Sequence, residues 1–312
     1  MDSFLMAARV VVPMAIMVLI GVLLRIFKIT DKDTMKKVDK ITYNLLMPTL
    51  MFYNIYNTDF SQLENVGYIL YGAGGLTILF LLALFLVPKL IKERPTAAAY
   101  GQAIVRSNYI LFGAAVAQSI YGEGNIGLIL LMAAVAVPLF NSYSAIILEA
   151  GRHGMASPRK LLKAVVTNPT LIATALGLVV NFSGIRIPDL LLGVVEDISG
   201  LTTPISFLSI GVTLTLNALD KKGELFSALA LRLVIIPLVF VVGGVLLGFR
   251  GQELCALLIL FAAPVAVSSY PMAVAMGADG DFAAQMVAVS TLACLPTIFV
   301  WTYMLNMLQL LQ

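Results

Sequence analysis

An echo runs through this apolar chain of 312 residues. Pro13, Gly21 and Pro48 recur as Pro169, Gly177 and Pro204, each pair 156 residues apart, which is half the sequence. Pro138 and Pro296 fall two residues off that register, and Gly122 and Gly277 one residue off. Charged residues make up only 12% of the chain, against about 25% in soluble domains. With a mean hydropathy of +0.97, the chain reads as an integral membrane protein. Paired copies in a membrane chain point to a secondary transporter whose site forms where the copies meet.

A helix needs about 20 mostly apolar residues to cross a bilayer. Ten segments qualify: 4–26, 41–57, 67–88, 97–120, 125–148, 164–182, 199–217, 225–248, 253–276 and 282–309. The expected fold is all-α, with ten transmembrane helices in two five-helix repeats, residues 1–150 and 151–312, and no soluble domain. Basic loops alternate with acidic ones. Arg25, Lys28, Lys32, Lys36, Lys37 and Lys40 follow the first span, Lys89, Lys92 and Arg94 the third, Arg152, Arg159, Lys160 and Lys163 the fifth, and Lys221 and Lys222 the seventh. The opposite loops carry Asp59, Glu64 and Glu123, then Arg186 with Asp189 and Arg250 with Glu253. The positive-inside rule puts the basic loops in the cytoplasm and both termini outside a plasma or inner membrane. The last inside loop, Asp279–Asp281, has no basic residue. Spans one and six then run in opposite directions, so the copies are inverted. Thr30–Lys40 and Pro188–Ile198 read as amphipathic lead-ins lying along the interface. The start lacks a basic region and a clear cleavage site, so the first span is expected to be retained.

Several function classes drop out. Cys255 and Cys294 lie in apolar runs and read as core residues, and His153 is the single histidine. That set offers no metal centre or haem site from familiar ligands, and no cofactor is expected. The small positive charge sits in short loops, so nucleic acid is not an expected partner; membrane lipid is. An intramembrane enzyme would need paired acids, a Ser–His pair or a metal cluster within the spans, and none is visible. No Asp or Glu falls mid-span, with Glu149 and Asp197 near ends, which argues against a cation antiporter.

Spans four and nine differ from the rest. The first contains Arg106-Ser107-Asn108 and then Gly113; the second contains Pro264, Ser268, Ser269, Tyr270 and Pro271. Polar or helix-breaking residues interrupt both at matching places, and matched interruptions are the best sequence pointer to a transport site. Helical hydrogen bonding is expected to fail near Ser107–Gly113 and near Pro264–Pro271, with the two breaks meeting at mid-membrane. Broken helices present free N–H groups that favour anions.

The segment Ser107-Asn108 through Tyr121-Gly122 resembles the S-x-x-N-x-x-x-x-G-x-P-L…Y-G stretch of the auxin efflux carrier family. Asn44-Leu45-Leu46-Met47-Pro48-Thr49-Leu50-Met51-Phe52 resembles its second-span L-P-x-L-x-F pattern, and Asn168-Pro169…Gly177…Pro188…Pro204…Gly211 its N-P…G…P…P-L…G series. The family includes plant auxin exporters and bacterial permeases for malonate and malate. The resemblance covers essentially the whole chain. It implies ten spans in inverted repeats, spans four and nine crossing as unwound segments around an elevator-type site, a small organic anion as substrate, and a homodimer. The family's span-four proline would fall at Ala115, so that break must rest on Gly113 and Asn108.

Asn108 is the leading binding candidate, because an amide can hold a carboxylate oxygen and a backbone group together. Backbone N–H groups around Pro271 are expected to assist. Arg106 is expected to set the local potential and draw anions in, since an intramembrane cation is costly and so points to function. Arg232 in span eight is expected to snorkel to the surface. Ser107, Ser268, Ser269 and Tyr270 supply hydroxyls, and Asn44 and Asn141 are secondary candidates. A membrane sensor or structural protein derived from a carrier is the alternative reading.

Overall fold

The computed structural model describes residues 2–57, 66–121, 127–153, 167–214 and 221–312. Asp59, Glu64, Gly122, Glu123, Arg159, Lys160 and Lys163 lie outside them, as does the side chain of Ala115.

Every element among the described residues is helical. The first half supplies α1 (Asp2–Ile26), α2 (Lys32–Ile41), α3 (Met47–Tyr56), α4 (Gly67–Phe85), α5 (Val87–Leu90), α6 (Arg94–Val105), α7 (Tyr109–Tyr121) and α8 (Gly127–His153). The second supplies α9 (Pro169–Ser183), α10 (Asp189–Gly200), α11 (Thr202–Thr213), α12 (Lys222–Ala230), α13 (Ile236–Leu246), α14 (Gly251–Ala262), α15 (Ser269–Ala275) and α16 (Gly280–Met307). Among the described residues, five stretches are long and apolar enough to cross a membrane: Gly67–Leu90, Gly127–Arg152, Asp189–Thr213, Lys222–Leu246 and Gly280–Met307.

Prolines act in two ways. Pro13, Pro138 and Pro296 sit inside continuous helices. Pro48 and Pro237 each follow a wide π-helical segment, Thr42–Leu46 and Leu231–Ile235. A proline ring clashes with the carbonyl four residues earlier, and a π-turn just upstream relieves it without ending the helix.

Contacts between the halves repeat under the same offset. A Cβ on Gly21 would lie 2.2 Å from the Leu208 carbonyl oxygen and 2.9 Å from Gly211 Cα, while one on Gly177 would lie 3.1 Å from both the Phe52 oxygen and Ile55 Cβ. Leu208 is 156 residues beyond Phe52, and Gly211 is 156 beyond Ile55. Arg25 Nη1 donates to the Val212 and Leu214 carbonyls at 3.2 and 2.7 Å, and its offset partner Asn181 donates through Nδ2 to Ile55 and Tyr56 at 3.3 and 2.8 Å. Thr202 Oγ1 donates to Leu46, its own offset mate, at 3.0 Å. Reciprocal contacts of this kind are what a two-fold relation generates. They pack α1 on α11 and α9 on α3 and leave α6, α7, α14 and α15 to meet in the interior.

Candidate functional site

Each of the two interior helices breaks in the middle. α6 ends at Val105, Arg106 turns extended, and α7 restarts at Tyr109. α14 ends at Ala262, Ala263 turns extended, and α15 restarts at Ser269. The breaks lie against each other as a one-residue antiparallel bridge, Ser107 opposite Val265. Asn108 N donates to the Pro264 carbonyl at 2.8 Å, and Ala266 N to the Arg106 carbonyl at 3.5 Å. These two bonds exchange under an offset of 158, the register that also relates Pro138 to Pro296. The bridge supplies partners that the interrupted helices forfeit, as buried backbone groups require.

The first break is shorter than its sequence suggests. It spans Arg106–Asn108, and Gly113 lies inside continuous α7. A Cβ there would meet Ile259 Cγ2 at 3.0 Å, so Gly113 lets α7 pack closely on α14 and takes no part in the break. The second break needs Pro264 only as a carbonyl acceptor. Pro271 is the third residue of α15, where its missing N–H costs nothing in the helix ladder.

Two arginines occupy this interior. Arg232 is fully buried and does not snorkel. Its Nε donates to Ala263 O at 2.9 Å, Nη1 to Ile104 O at 3.2 Å and Nη2 to Leu260 O at 3.2 Å. It thus caps the last carbonyls of both α6 and α14, groups left without N–H partners when the helices stop. Arg106, 3% exposed, has weaker partners. Nη2 donates to Ser268 Oγ at 2.8 Å and Nη1 to Met272 Sδ at 3.2 Å. No carboxylate among the described residues pairs with it.

A cavity of about 150 Å³ opens on Arg106, Ser107, Asn108, Asn141 and Ser268, with Met51, Asn54, Tyr109, Thr202 and Thr203 also on its walls. Ser107 Oγ, Asn108 Nδ2 and Asn141 Oδ1 are buried without a hydrogen-bond partner. Asn141 Nδ2 donates to Met51 Sδ at 2.8 Å. An unmatched guanidinium beside two unmatched donors has the composition of an anion pocket, and its volume, well under the roughly 300–1,000 Å³ of drug-sized sites, suits a small one.

Other predicted residues fall elsewhere. Asn44 is exposed, and its amide is spent on the Lys40 carbonyl at 2.8 Å. The backbone groups around Pro271 are also committed: Ser269 N donates to Ala266 O and Tyr270 N to Val267 O. Ser269 Oγ is buried and unpartnered but does not line the cavity. Tyr270 faces a different cleft of about 510 Å³, with Lys32, Lys36, Lys40, Asp279 and Asp281 on its walls.

Residues 6–302 match the model of the family described as membrane transport protein. The chain belongs to this family, the auxin efflux carriers that its motifs resemble. It is 22% identical over 311 residues to an uncharacterized transporter of Methanothermobacter thermautotrophicus, covering 97% of this chain and 99% of that one. It is 26% identical over 312 residues to uncharacterized transporter MJ1031 of Methanocaldococcus jannaschii, covering 95% and 98%. A transporter of this family is an integral membrane protein, and the family is not one of enzymes.

Two features of this transporter escape the sequence reading. Arg232 looks like any cation a few residues inside a span; only carbonyls from two other helices define its role. Asp39 belongs to the lead-in helix, outside the spans, yet it is fully buried. A signal for it existed: it shares a face of amphipathic α2 with Met35 and Val38, continued by Thr42 just beyond the helix, all at least partly buried. Burial raises its carboxyl from 3.8 to about 6, against a smaller opposing effect of the Ser209 and Tyr270 hydroxyls.

Proposed function

We propose that the protein carries a small organic anion, a mono- or dicarboxylate, across a plasma or inner membrane by an elevator-type movement of the crossover helices. The observation that carries this reading is Arg106, a buried cation with no acid partner among the described residues, facing a small cavity beside the free Ser107 and Asn108 donors. A carboxylate satisfies all three at once, and charge-assisted bonds of this type are the strong ones. The arginine's place in the cavity wall favours direct contact over remote steering. Asn141 and Ser268 complete the polar surround, and the substrate reaches it from the cytoplasmic cleft of Lys32, Lys36 and Lys40.

The reciprocal contacts under the 156-residue offset support ten spans in two inverted repeats with the crossover on the pseudo-two-fold axis, and the alternating basic loops support both termini outside. Only the crossover helices would move against the α1, α3, α9 and α11 frame. A homodimer built on that frame follows from the family resemblance. Uptake of radiolabelled malate and malonate into proteoliposomes tests the function. Uptake should be saturable and should vanish in Arg106→Gln. Absence of uptake for every small carboxylate, in protein that melts cooperatively, would favour a carrier-derived sensor.

A further inference from the structure

Asp39 is the only fully buried acid among the described residues, and neither of its oxygens has a hydrogen-bond partner. It sits on α2, which packs against α11, α15 and the wide segment Thr42–Leu46. The facing groups are few. α11 brings the Ser209 hydroxyl and no charge, α15 brings Tyr270, and the wide segment brings Tyr43, whose hydroxyl accepts from Asn168. The cations of α2 itself make no ion pair with it: Lys36, Lys37 and Lys40 are exposed, Lys36 is bonded to Asp33, and Lys32 is bonded to Asp281. An ionised carboxylate here is a buried charge with no cation beside it and only the Ser209 and Tyr270 hydroxyls to oppose the cost of burial, and such a charge is costly. A protonated one becomes a donor aimed among hydroxyls.

The position is not remote from the anion cavity. Tyr270 follows Ser268 by two residues, and Ser268 accepts from Arg106. Tyr270 also lines the lysine-walled cleft, so one side chain separates that open space from the buried carboxyl. We propose that Asp39 is a proton-binding site whose occupancy is tied to anion binding at the crossover. The inference rests on the anion reading of the cavity. The proton comes from water in the cleft and sits on a carboxylate oxygen; no other bond forms or breaks. An anion beside Arg106 and an ionised Asp39 repel each other, so proton and anion favour each other's binding, and by reciprocity to the same degree.

Two measurements decide it. The first needs no ligand. The folded-state value of Asp39 lies above the unfolded one, so its contribution favours folding below about pH 4 and is lost as pH rises through about 6. Asp39→Asn keeps the shape without titrating. Relative to that variant, wild type should lose melting temperature between pH 4 and pH 7; parallel curves overturn the proton site. The second is malate binding by calorimetry in buffers of different ionisation enthalpy. Wild type should take up close to one proton per malate near pH 7, with affinity falling up to about tenfold per pH unit above that, while Asp39→Asn takes up none and binds independently of pH. Equal uptake in both proteins overturns the coupling even if the melts diverge. If neither protein binds malate, the carboxylate reading fails and the coupling with it, and the melts alone still establish or overturn the proton site. The wild-type proton count requires no variant, so a misfolded substitution cannot hide the answer.

Discussion

The two crossovers close the same backbone gap with opposite chemistry. The second, Ala263–Ser268, has one proline, Pro264, and no charge of its own, and Arg232 from α12–α13 holds its carbonyls together with those of α6. The first, Arg106–Asn108, carries a cation and two unmatched polar atoms and has no proline. Both arginines are buried almost completely. One spends three donors on carbonyls; the other has no acid partner among the described residues, and the proposed anion site rests on that. Burial therefore does not assign a role. What is left unsatisfied does.

That contrast breaks most visibly at Arg232. Arg232→Leu would leave three buried carbonyls without partners, and should cost about 3–5 kcal/mol, at one to a few kcal/mol for each orphaned group after relaxation. Thermal melts in detergent should show it as the largest loss of any substitution at the crossovers. A near-wild-type melt would mean that the capping bonds are incidental.

At the first crossover the same measurement should barely move and ligand binding should. Asn108→Ala removes a donor that nothing in the protein uses, so stability should stay within about 0.5 kcal/mol. Its loss should weaken carboxylate affinity by roughly 1.5–3 kcal/mol, or about 10- to 150-fold. Calorimetry on wild type and variant checks both halves. A variant that binds malate normally removes Asn108 from the site.

The prolines sharpen the comparison further. If they created the second break, Pro271→Ala would repair the helix. Because Pro271 occupies the first turn of α15, where no N–H is needed, the substitution should cost less than about 1 kcal/mol and leave transport intact. A large change in either would restore the proline to a causal role.

The smallest effect is expected where the crossover helices are tied near Asp279. Asp279 accepts from Lys221 at 2.7 Å and from Thr96 of α6 at 2.8 Å, and caps α16 through Phe282 N at 3.0 Å. Burial alone would raise its carboxyl, but Lys221, the Phe282 N–H and Thr96 outweigh that and hold it below 3.8. Lys221 is likewise lowered by burial and, on balance, raised above 10.5 by Asp279 and Glu93. The pair therefore stabilises the fold fully between about pH 4 and pH 10, and the contribution fades as pH drops through the Asp279 value or climbs through the Lys221 value. Asparagine caps a helix as well as aspartate, so Asp279→Asn isolates the charge. It should cost at most about 1 kcal/mol at neutral pH, less in high salt, as a melt at two salt concentrations would show.

The apolar spans, the echo between halves and the places where two helices fail were legible in the sequence, because each rests on local chemistry. A run of apolar residues excludes water wherever it is placed, and Ser-Asn or Pro-rich interruptions weaken a helix on their own. The echoed glycines Gly21 and Gly177 lie against the equivalent carbonyls of Leu208 and Phe52, a pairing that only the assembled structure shows. The length of the first break, the packing duty of Gly113, the outward position of Asn44 and the committed N–H groups near Pro271 were not legible. Nor was the difference between Arg106 and Arg232, or the burial of Asp39 on a lead-in helix. Each depends on which carbonyl, hydroxyl or empty space arrives from a segment up to more than a hundred residues away. Electrostatic cost and hydrogen-bond satisfaction are properties of that assembled neighbourhood, and no single stretch of chain contains them.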